Sequence, residues 1–344
     1  MDMAGEAIEG EAAGYSSLAE ACLPEQRMVD GKAFPLVITP SSPLESAIVA
    51  CKLFHTSRAF LEQKLKDNGA VFLRGFPLRS GFDFHGAVEA LGWHTLPYIG
   101  SGIRTQVVGS VYTANDSGPD VVISFHHEMA QVVDALSWPS KVLFFCETPS
   151  SEGGETSMIM SHKVTQGLWM QCPEFMQKVE DLGLLYLKVL PMVKDPKYLT
   201  VQDWPTVFGT SDKKEAEERA KKNFNGKVEW LPGGNMNLVT GPFKATRNFG
   251  REERANAWFN QIAVYHTGLS HKGGMPPDQP YDVVFGDGSP LPANAVATCK
   301  KIHEENSVDI PWKQGDLMIL DNSSVMHGRR AYKPPRKILV TLCK

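Results

Sequence analysis

The chain has 344 residues, of which 42% are hydrophobic, 22% charged and 9% aromatic, and these proportions exclude collagen-like, low-complexity and largely disordered proteins. Its 35 basic and 39 acidic residues give a net charge of -4, which argues against a partner nucleic acid bound through its phosphates. No stretch approaches the roughly 18 consecutive apolar residues of a membrane-spanning helix, so we expect no membrane partner.

The first twenty residues carry acidic side chains and no lysine or arginine. A secretory signal needs a basic start and an apolar segment, and organelle transit peptides are rich in arginine. We therefore predict a flexible acidic arm over residues 1–20, followed by a single folded domain over residues 21–344, in a cytoplasmic protein. The six cysteines lie far apart and include no CxxC pair, which indicates free thiols.

Hydrophobic periodicity predicts a helix over residues 44–66 and then a short buried strand over residues 69–76. Further strands are predicted at short apolar runs, and further helices where apolar residues recur every three or four positions. The strands are Val121–Phe125, Val142–Cys146, Thr156–Met160, Leu184–Val189, Leu317–Leu320 and Ile338–Leu342, and the helices span 212–223, 252–264 and 294–305.

Many short strands with interspersed helices are typical of a mainly β protein with helices, in the α+β class. We expect a β-sandwich or barrel with helices packed outside it. A doubly wound parallel sheet would need a regular alternation of strands and helices. The chain also has neither a GxGxxG nor a GxxxxGK[ST] motif, which excludes the commonest nucleotide-binding folds.

Two triplets combine a histidine with a glutamate two positions later, at residues 126–128 and 303–305. About one such triplet is expected by chance, so geometry must separate them. Side chains two residues apart point the same way on a strand but diverge by about 200° on a helix. The second triplet lies in a helical pattern and cannot converge on one ion. The first follows a strand-like run, so His126 and Glu128 share one face and His127 points the opposite way.

A second histidine would complete a triad of two histidines and one carboxylate. Such a triad occupies three positions around Fe(II) and leaves three open. The candidate is His327, which follows a predicted strand and a polar turn near the chain end, where a late strand could return beside the first. From spacing alone, the alternative stays open that these histidines are structural and bond only to their neighbours.

Several segments around these residues resemble the TauD/TfdA family of Fe(II)/2-oxoglutarate-dependent oxygenases, in particular its clavaminate synthase-like plant branch. Each segment is weakly specific alone, but together they occur in family order from about residue 65 to residue 344. The segments are Asn68–Pro77, Phe125–Ala130, Pro149 with Gly153–Thr156, Asp321–Asn322 with His327–Arg329, and Pro334–Leu339.

The resemblance implies a double-stranded β-helix, or jelly roll, barrel with helices packed outside. The iron ligands that it implies are His126, Glu128 and His327. It also implies that Thr156 and Arg336 hold the distal carboxylate of 2-oxoglutarate, and a planar guanidinium suits this role because it binds a carboxylate through two hydrogen bonds. Lys337 is the alternative anchor, because Arg336 follows the second histidine at a shorter interval than in some family members.

The implied reaction uses Fe(II), 2-oxoglutarate and O2, releases succinate and CO2, and oxidises a C–H bond of a small-molecule substrate. Hydroxylation, desaturation and cyclisation are all open outcomes, and no catalytic residue beyond the metal site is implied. Two alternatives remain: a catalytically silent jelly-roll binding protein, and an oxygenase acting on protein or peptide side chains. The net charge of -4 and the absence of a basic module disfavour the second alternative.

Overall fold

The computed structural model describes residues 17–98, 104–114, 118–130, 138–194, 202–250, 252–266 and 281–344. Residues 1–16, most of the predicted acidic arm, lie outside the described residues. Leu18–Ala21 forms a strand that pairs with Leu36–Pro40, so the end of the predicted arm belongs to a sheet.

The described residues contain twenty strands, most of them short and apolar. In chain order they are β1 (Leu18–Ala21), β2 (Arg27–Val29), β3 (Lys32–Phe34), β4 (Leu36–Pro40), β5 (Ala70–Leu73), β6 (Thr95–Leu96), β7 (Gln106–Val108), β8 (Val111–Thr113), β9 (Ile123–His126), β10 (Lys141–Thr148), β11 (Thr156–Met160), β12 (Leu184–Leu190), β13 (Gly226–Trp230), β14 (Met236–Phe243), β15 (Thr246–Arg247), β16 (Ala257–Trp258), β17 (Tyr281–Phe285), β18 (Leu317–Asp321), β19 (Val325–Arg329) and β20 (Lys337–Cys343).

Nine α-helices also lie within the described residues. They are α1 (Ala47–Thr56), α2 (Arg58–Asn68), α3 (Gly81–Leu91), α4 (Ser161–Gln171), α5 (Pro173–Leu182), α6 (Trp204–Phe208), α7 (Lys213–Phe224), α8 (Ile262–Tyr265) and α9 (Ala293–Asn306), with 3-10 turns at Pro232–Gly234 and Glu252–Arg254. Among these described helices, none has both the length and the apolar character that a bilayer crossing requires.

The largest sheet has nine strands in the order β1-β4-β5-β18-β10-β20-β8-β7, and β6 also pairs with β20. Neighbouring strands are antiparallel except β4 and β5, which are parallel. Side chains of the central strands alternate between two buried faces, as the strand period of two requires. Phe144 and Met318 lie on the inner face, whereas Leu143 and Ile319 pack against α1, α2 and α3 on the outer face.

A three-stranded antiparallel sheet, in the order β11-β19-β9, faces the inner side of the large sheet. Met158 and Val325 of this small sheet share one hydrophobic cluster with Phe144 of the large sheet. On the other side of the small sheet, Ile159 and Met326 pack with α4, α5 and α9. A four-stranded sheet, β13-β14-β12-β17, and the pairs β2-β3 and β15-β16 are the remaining sheets of the described residues. The α+β class expected from the sequence is therefore confirmed.

The predicted strands are confirmed to within three residues at each end. The prediction for β11 has the observed bounds. The prediction of Val121–Phe125 is displaced, because β9 begins at Ile123, after two valines that are 46% and 54% exposed. The helices predicted over 212–223 and 294–305 are confirmed as α7 and α9.

The helix predicted over residues 44–66 is two helices, α1 and α2, separated at Ser57. The first begins after Ser46, whose hydroxyl accepts a hydrogen bond from the Val49 N–H at 3.4 Å. The chain turns at Ser57 and thereby brings Phe54 and Leu61, on either side of the break, into the same hydrophobic cluster. Periodicity continues across such a break, so the pattern alone does not reveal it.

The helix predicted over residues 252–264 is wrong. Asn256 has a left-handed φ of 58°, and the chain continues into the short strand β16. The Asn260 side chain donates to the Ala245 carbonyl and accepts from the Ile262 N–H, both at 3.0 Å. These side-chain hydrogen bonds compete with helical ones, and only the four residues of α8 form an α-helix.

Gly328, in β19, lies against the backbone of β9, and a Cβ there would be 2.6 Å from the Ile123 carbonyl oxygen. We expect Gly328→Ala to push the two strands apart and to lower the free energy of unfolding by about 1–3 kcal/mol, measured by urea denaturation. Gly118→Ala is the matched control, because a Cβ there meets no atom within 4 Å. Equal stability of the two variants would contradict the close approach.

Candidate active site

Pairing of β9 with β19 brings two of the predicted site residues together, since His327 lies directly opposite His126. The centres of the two imidazole rings are 4.5 Å apart. Glu128 lies just beyond the end of β9, and its Oε2 atom is 3.8 Å from Nε2 of His327. One nitrogen or oxygen atom from each of the three residues lies within 4.8 Å of the others. Side chains from two distant parts of the sequence thus converge on one point.

The chemistry of this donor set fits Fe(II), which binds two imidazoles and one carboxylate and keeps open positions. Burial lowers the pKa of both His126 and His327, so both rings are neutral and offer a nitrogen lone pair. Nδ1 of His126 donates to the Ser124 carbonyl at 2.9 Å, which leaves Nε2 as the nitrogen available for a metal.

The position of Glu128 is fixed by Asn322, a fully buried residue in the turn between β18 and β19. The Asn322 Oδ1 atom accepts from the Glu128 N–H at 2.9 Å. Its Nδ2 atom donates to the Glu128 carbonyl at 3.0 Å and to the Pro139 carbonyl at 2.8 Å. One amide side chain therefore holds both backbone polar groups of Glu128.

His127 points away from the cluster, as its place between the other two residues predicts. Its Nδ1 atom donates to the Asn322 carbonyl at 2.8 Å, and its Nε2 atom accepts from the Ser161 hydroxyl at 2.7 Å. Burial lowers the pKa of His127 to about 3, so the ring is neutral and can accept this bond. His127 thus connects the end of β9 to the β18–β19 turn and to the start of α4.

The three converging side chains form one wall of a pocket between the two facing sheets. The pocket encloses about 420 Å³ of empty space, part of it open to solvent. Its lining residues are Arg104, Ala114, Ile123, His126, Glu128, Phe144, Thr156, His327, Gly328, Arg329 and Arg336. Three arginines and one glutamate give the pocket a positive charge.

The remaining predicted site residues, Thr156 and Arg336, line the same pocket. Pairing of β11 with β19 sets Thr156 opposite Arg329. Nε of Arg336 donates to the Gly154 carbonyl at 2.8 Å. Burial and the nearby Arg329 charge lower the pKa of Arg336 to about 10, so it stays protonated at neutral pH. Two guanidinium groups in one place, the buried Arg329 and the half-buried Arg336, favour an anionic ligand.

Lys337, the alternative anchor, does not line the pocket. It is exposed at the start of β20, and its ammonium group forms an ion pair with Glu147. Arg336 is therefore the residue of this basic pair that faces the pocket. Gly154 has a left-handed φ of 78°, and a Cβ there would be 2.8 Å from the Arg336 side chain, so glycine leaves the space that the arginine occupies.

Sequence reasoning did not find Arg104. Its Nη2 atom lies 3.0 Å from Oε2 of Glu128, and its guanidinium carbon is 4.0 Å from the centre of the Tyr98 ring. It precedes β7 in a region without periodicity, so no pattern marks it. Asn322 belongs to the Asp-Asn pair that carries part of the family resemblance, and that pair was the one available signal for it.

Residues 49–343 match the family described as "Taurine catabolism dioxygenase TauD, TfdA family". Because the match covers most of the chain, the protein belongs to the TauD/TfdA family. Its members are Fe(II)- and 2-oxoglutarate-dependent dioxygenases, so the protein is an enzyme of this class that uses Fe(II), 2-oxoglutarate and O2.

Similarity to individual proteins agrees with this family. The chain is 41% identical over 333 residues to a clavaminate synthase-like protein of Arabidopsis thaliana, covering 95% of this chain and 98% of the relative. The expected likeness to the clavaminate synthase-like plant branch is thereby confirmed. The chain is 27% identical over 297 residues to the dapdiamide synthesis protein DdaC of Enterobacter agglomerans, covering 82% and 84% of the two chains.

Two solved structures have a similar fold. The PvcB protein from Pseudomonas aeruginosa has a TM-score of 0.50 at 14% identity, covering 94% of each chain. An asparagine oxygenase, solved with Fe(II), 3-hydroxyasparagine and succinate, has a TM-score of 0.50 at 12% identity, covering 100% of this chain and 92% of the other. At such low identity these matches concern the fold alone.

Asn322→Asp tests the support of Glu128. Aspartate keeps the acceptor for the Glu128 N–H but loses the donor to two buried carbonyls, and it buries a charge. We expect the free energy of unfolding to fall by about 2–5 kcal/mol, measured by urea denaturation. Asn294→Asp is the control, because Asn294 is exposed in the first turn of α9 and should change stability by less than about 0.5 kcal/mol. Two equally small effects would contradict the role of Asn322.

Proposed function

We propose that the enzyme oxidises a C–H bond of a small-molecule substrate by hydroxylation, desaturation or cyclisation, with release of succinate and CO2. In this proposal Fe(II) is held by His126, Glu128 and His327, and 2-oxoglutarate is anchored by Thr156 and Arg336. The observation that carries the proposal is the convergence of the three metal-ligating side chains in one pocket that Arg336 also lines.

We also infer that the two facing sheets are the halves of a double-stranded β-helix. Consecutive strands cross from one sheet to the other on both sides of the site, which supports this inference. β9 lies in the small sheet, β10 in the large sheet and β11 in the small sheet; likewise β18 and β20 lie in the large sheet and β19 in the small one. Such alternation is typical of a jelly roll with helices packed outside.

Bound Fe(II) and 2-oxoglutarate supply the oxidising power for the reaction with O2. The residues of the chain contribute binding and exclusion of water. Two neutral imidazoles and one carboxylate bring a single negative charge to the metal and leave its other positions open. Phe144 packs edge-on against His327, with 5.2 Å between ring centres, and forms an apolar wall there.

The 2-oxoglutarate anchor needs a cation that stays charged and a partner for the second carboxylate oxygen. Arg336 meets the first requirement because its pKa of about 10 is well above neutral pH. The Thr156 hydroxyl, only 5% exposed on the adjacent wall, can donate the further hydrogen bond. Arg329 adds a second positive charge that favours a dianionic molecule at this end of the pocket.

A small molecule is the substrate class that the site supports best. The three metal-ligating side chains line a pocket between the two sheets, and two of them, Glu128 and His327, are buried. Among the similar proteins, one is named for dapdiamide synthesis and one was solved with a hydroxylated amino acid. These names support small-molecule chemistry over oxidation of a protein side chain.

Anaerobic addition of Fe(II) and 2-oxoglutarate to the wild-type protein should give a weak visible charge-transfer band. We expect His126→Ala to abolish the band, because it removes one of the three metal ligands. His55→Ala is the control, since His55 is exposed on α1 and should leave the band unchanged. A wild-type protein without the band, or a full band in His126→Ala, would contradict the proposed metal site.

The anchor is tested by titrating 2-oxoglutarate into the anaerobic Fe(II) protein and following the same band. We expect Arg336→Met to weaken binding about 100-fold, because it removes a charge-assisted pair of hydrogen bonds to the carboxylate. Lys337→Met is the matched control one residue away and should change binding less than about threefold. The opposite ranking of the two variants would make Lys337 the anchor.

A further inference from the structure

Glu128 forms a buried ion pair with Arg104. Nη2 of Arg104 is 3.0 Å from Oε2 of Glu128, and the two side chains are 9% and 5% exposed. Within the described part of the chain, this is the one lysine or arginine paired with Glu128. The carboxylate that would bind the metal therefore has a second, permanently charged cation within hydrogen-bond distance.

Charge at the cluster depends on this pair, because Arg104 is the lysine or arginine that contacts the Glu128 carboxylate among the described residues. Without a metal ion, Arg104 balances the single negative charge of Glu128, and a buried carboxylate lacking such a partner would be strongly destabilising. With a divalent ion bound, the ion itself balances the carboxylate. Arg104 and the ion would then both contact the Glu128 carboxylate, whose Oε2 atom also lies 3.8 Å from Nε2 of His327, and at buried sites repulsion between two cations is weakly screened.

Tyr98 gives the guanidinium a second place of contact. The Arg104 guanidinium carbon lies 4.0 Å from the centre of the Tyr98 ring, within the range of a cation–π interaction. The arginine can therefore stay in the pocket wall while the carboxylate turns towards a metal ion. Among the described residues, neither Arg329 nor Arg336 forms an ion pair with Glu128, so neither takes the place of Arg104.

We infer that Arg104 is a built-in counterion that competes with the metal for Glu128: it stabilises the folded chain before metal binds and weakens the affinity for the metal. This inference rests on the proposed metal site. It differs from a positioning role, in which Arg104 would hold the carboxylate ready for the metal and its loss would weaken binding.

The test compares Arg104→Gln with wild type, using Co(II) as a divalent probe that O2 does not readily oxidise. We expect the Tm in the presence of EDTA to fall by about 5–10 °C. We expect the Kd for Co(II) to become about tenfold tighter, and the rise in Tm on adding Co(II) to become larger than in wild type. Arg104→Lys keeps the charge and should resemble wild type.

A matched control is Arg74→Gln, which breaks another buried ion pair, with Asp316 at 2.7 Å, on residues that do not line the pocket. It should lower the Tm without changing the Kd for Co(II). Glu128→Gln removes the negative charge that Arg104 balances. In that background, Arg104→Gln should therefore lower the Tm by less than half as much as it does with Glu128 present.

Weaker or unchanged Co(II) binding by Arg104→Gln would overturn the inference and make Arg104 a positioning residue. An equal loss of Tm in the presence and in the absence of the Glu128 carboxylate would also overturn the inference. Folding of Arg104→Gln only in the presence of Co(II) would support it. If the wild-type protein bound no Co(II), or if His126→Ala bound Co(II) as tightly as wild type, the proposed metal site would be overturned, and the inference with it.

Discussion

The pairing of β9 with β19 is the constraint on which the rest of the site depends. It sets His327 opposite His126, and the same strand β19 pairs on its other edge with β11, which begins at Thr156. A slip of one residue would turn His327 to the helix-covered face of the small sheet. The close approach of Gly328 to the β9 backbone and the buried side chain of Asn322 both hold this register.

Because side chains alternate in direction along β9 and the turn after it, the adjacent residues His126 and His127 point in opposite directions. His126 faces the pocket with a free ring nitrogen, whereas His127 has both ring nitrogens hydrogen-bonded to the scaffold. The scaffold bonds join the β18–β19 turn and the start of α4 to the segment that carries Glu128. These hydrogen bonds hold the backbone that carries the Glu128 carboxylate from the side of the sheet opposite the pocket.

Much of the site could be predicted because its signals are local. The strand period put His126 and Glu128 together, and a helical pattern excluded His303, which is indeed on α9. Other features depend on contacts far away in sequence. Arg104 meets Glu128 from a segment without periodicity, and Asn260 replaces a predicted helix by bonding the Ala245 carbonyl. Such tertiary bonds override local preference, so no single-sequence pattern contains them.

The separation of the paired histidines also bears on the order of assembly. His126 and His327 meet only after strands from the middle and the end of the chain have joined, and such non-local pairing forms slowly. The proposed ligands come from two segments far apart in the sequence, unlike a zinc finger, where binding the ion is what folds the domain. With the proposed ligands, metal uptake follows folding, and a newly made chain must reach its final topology before it can acquire activity.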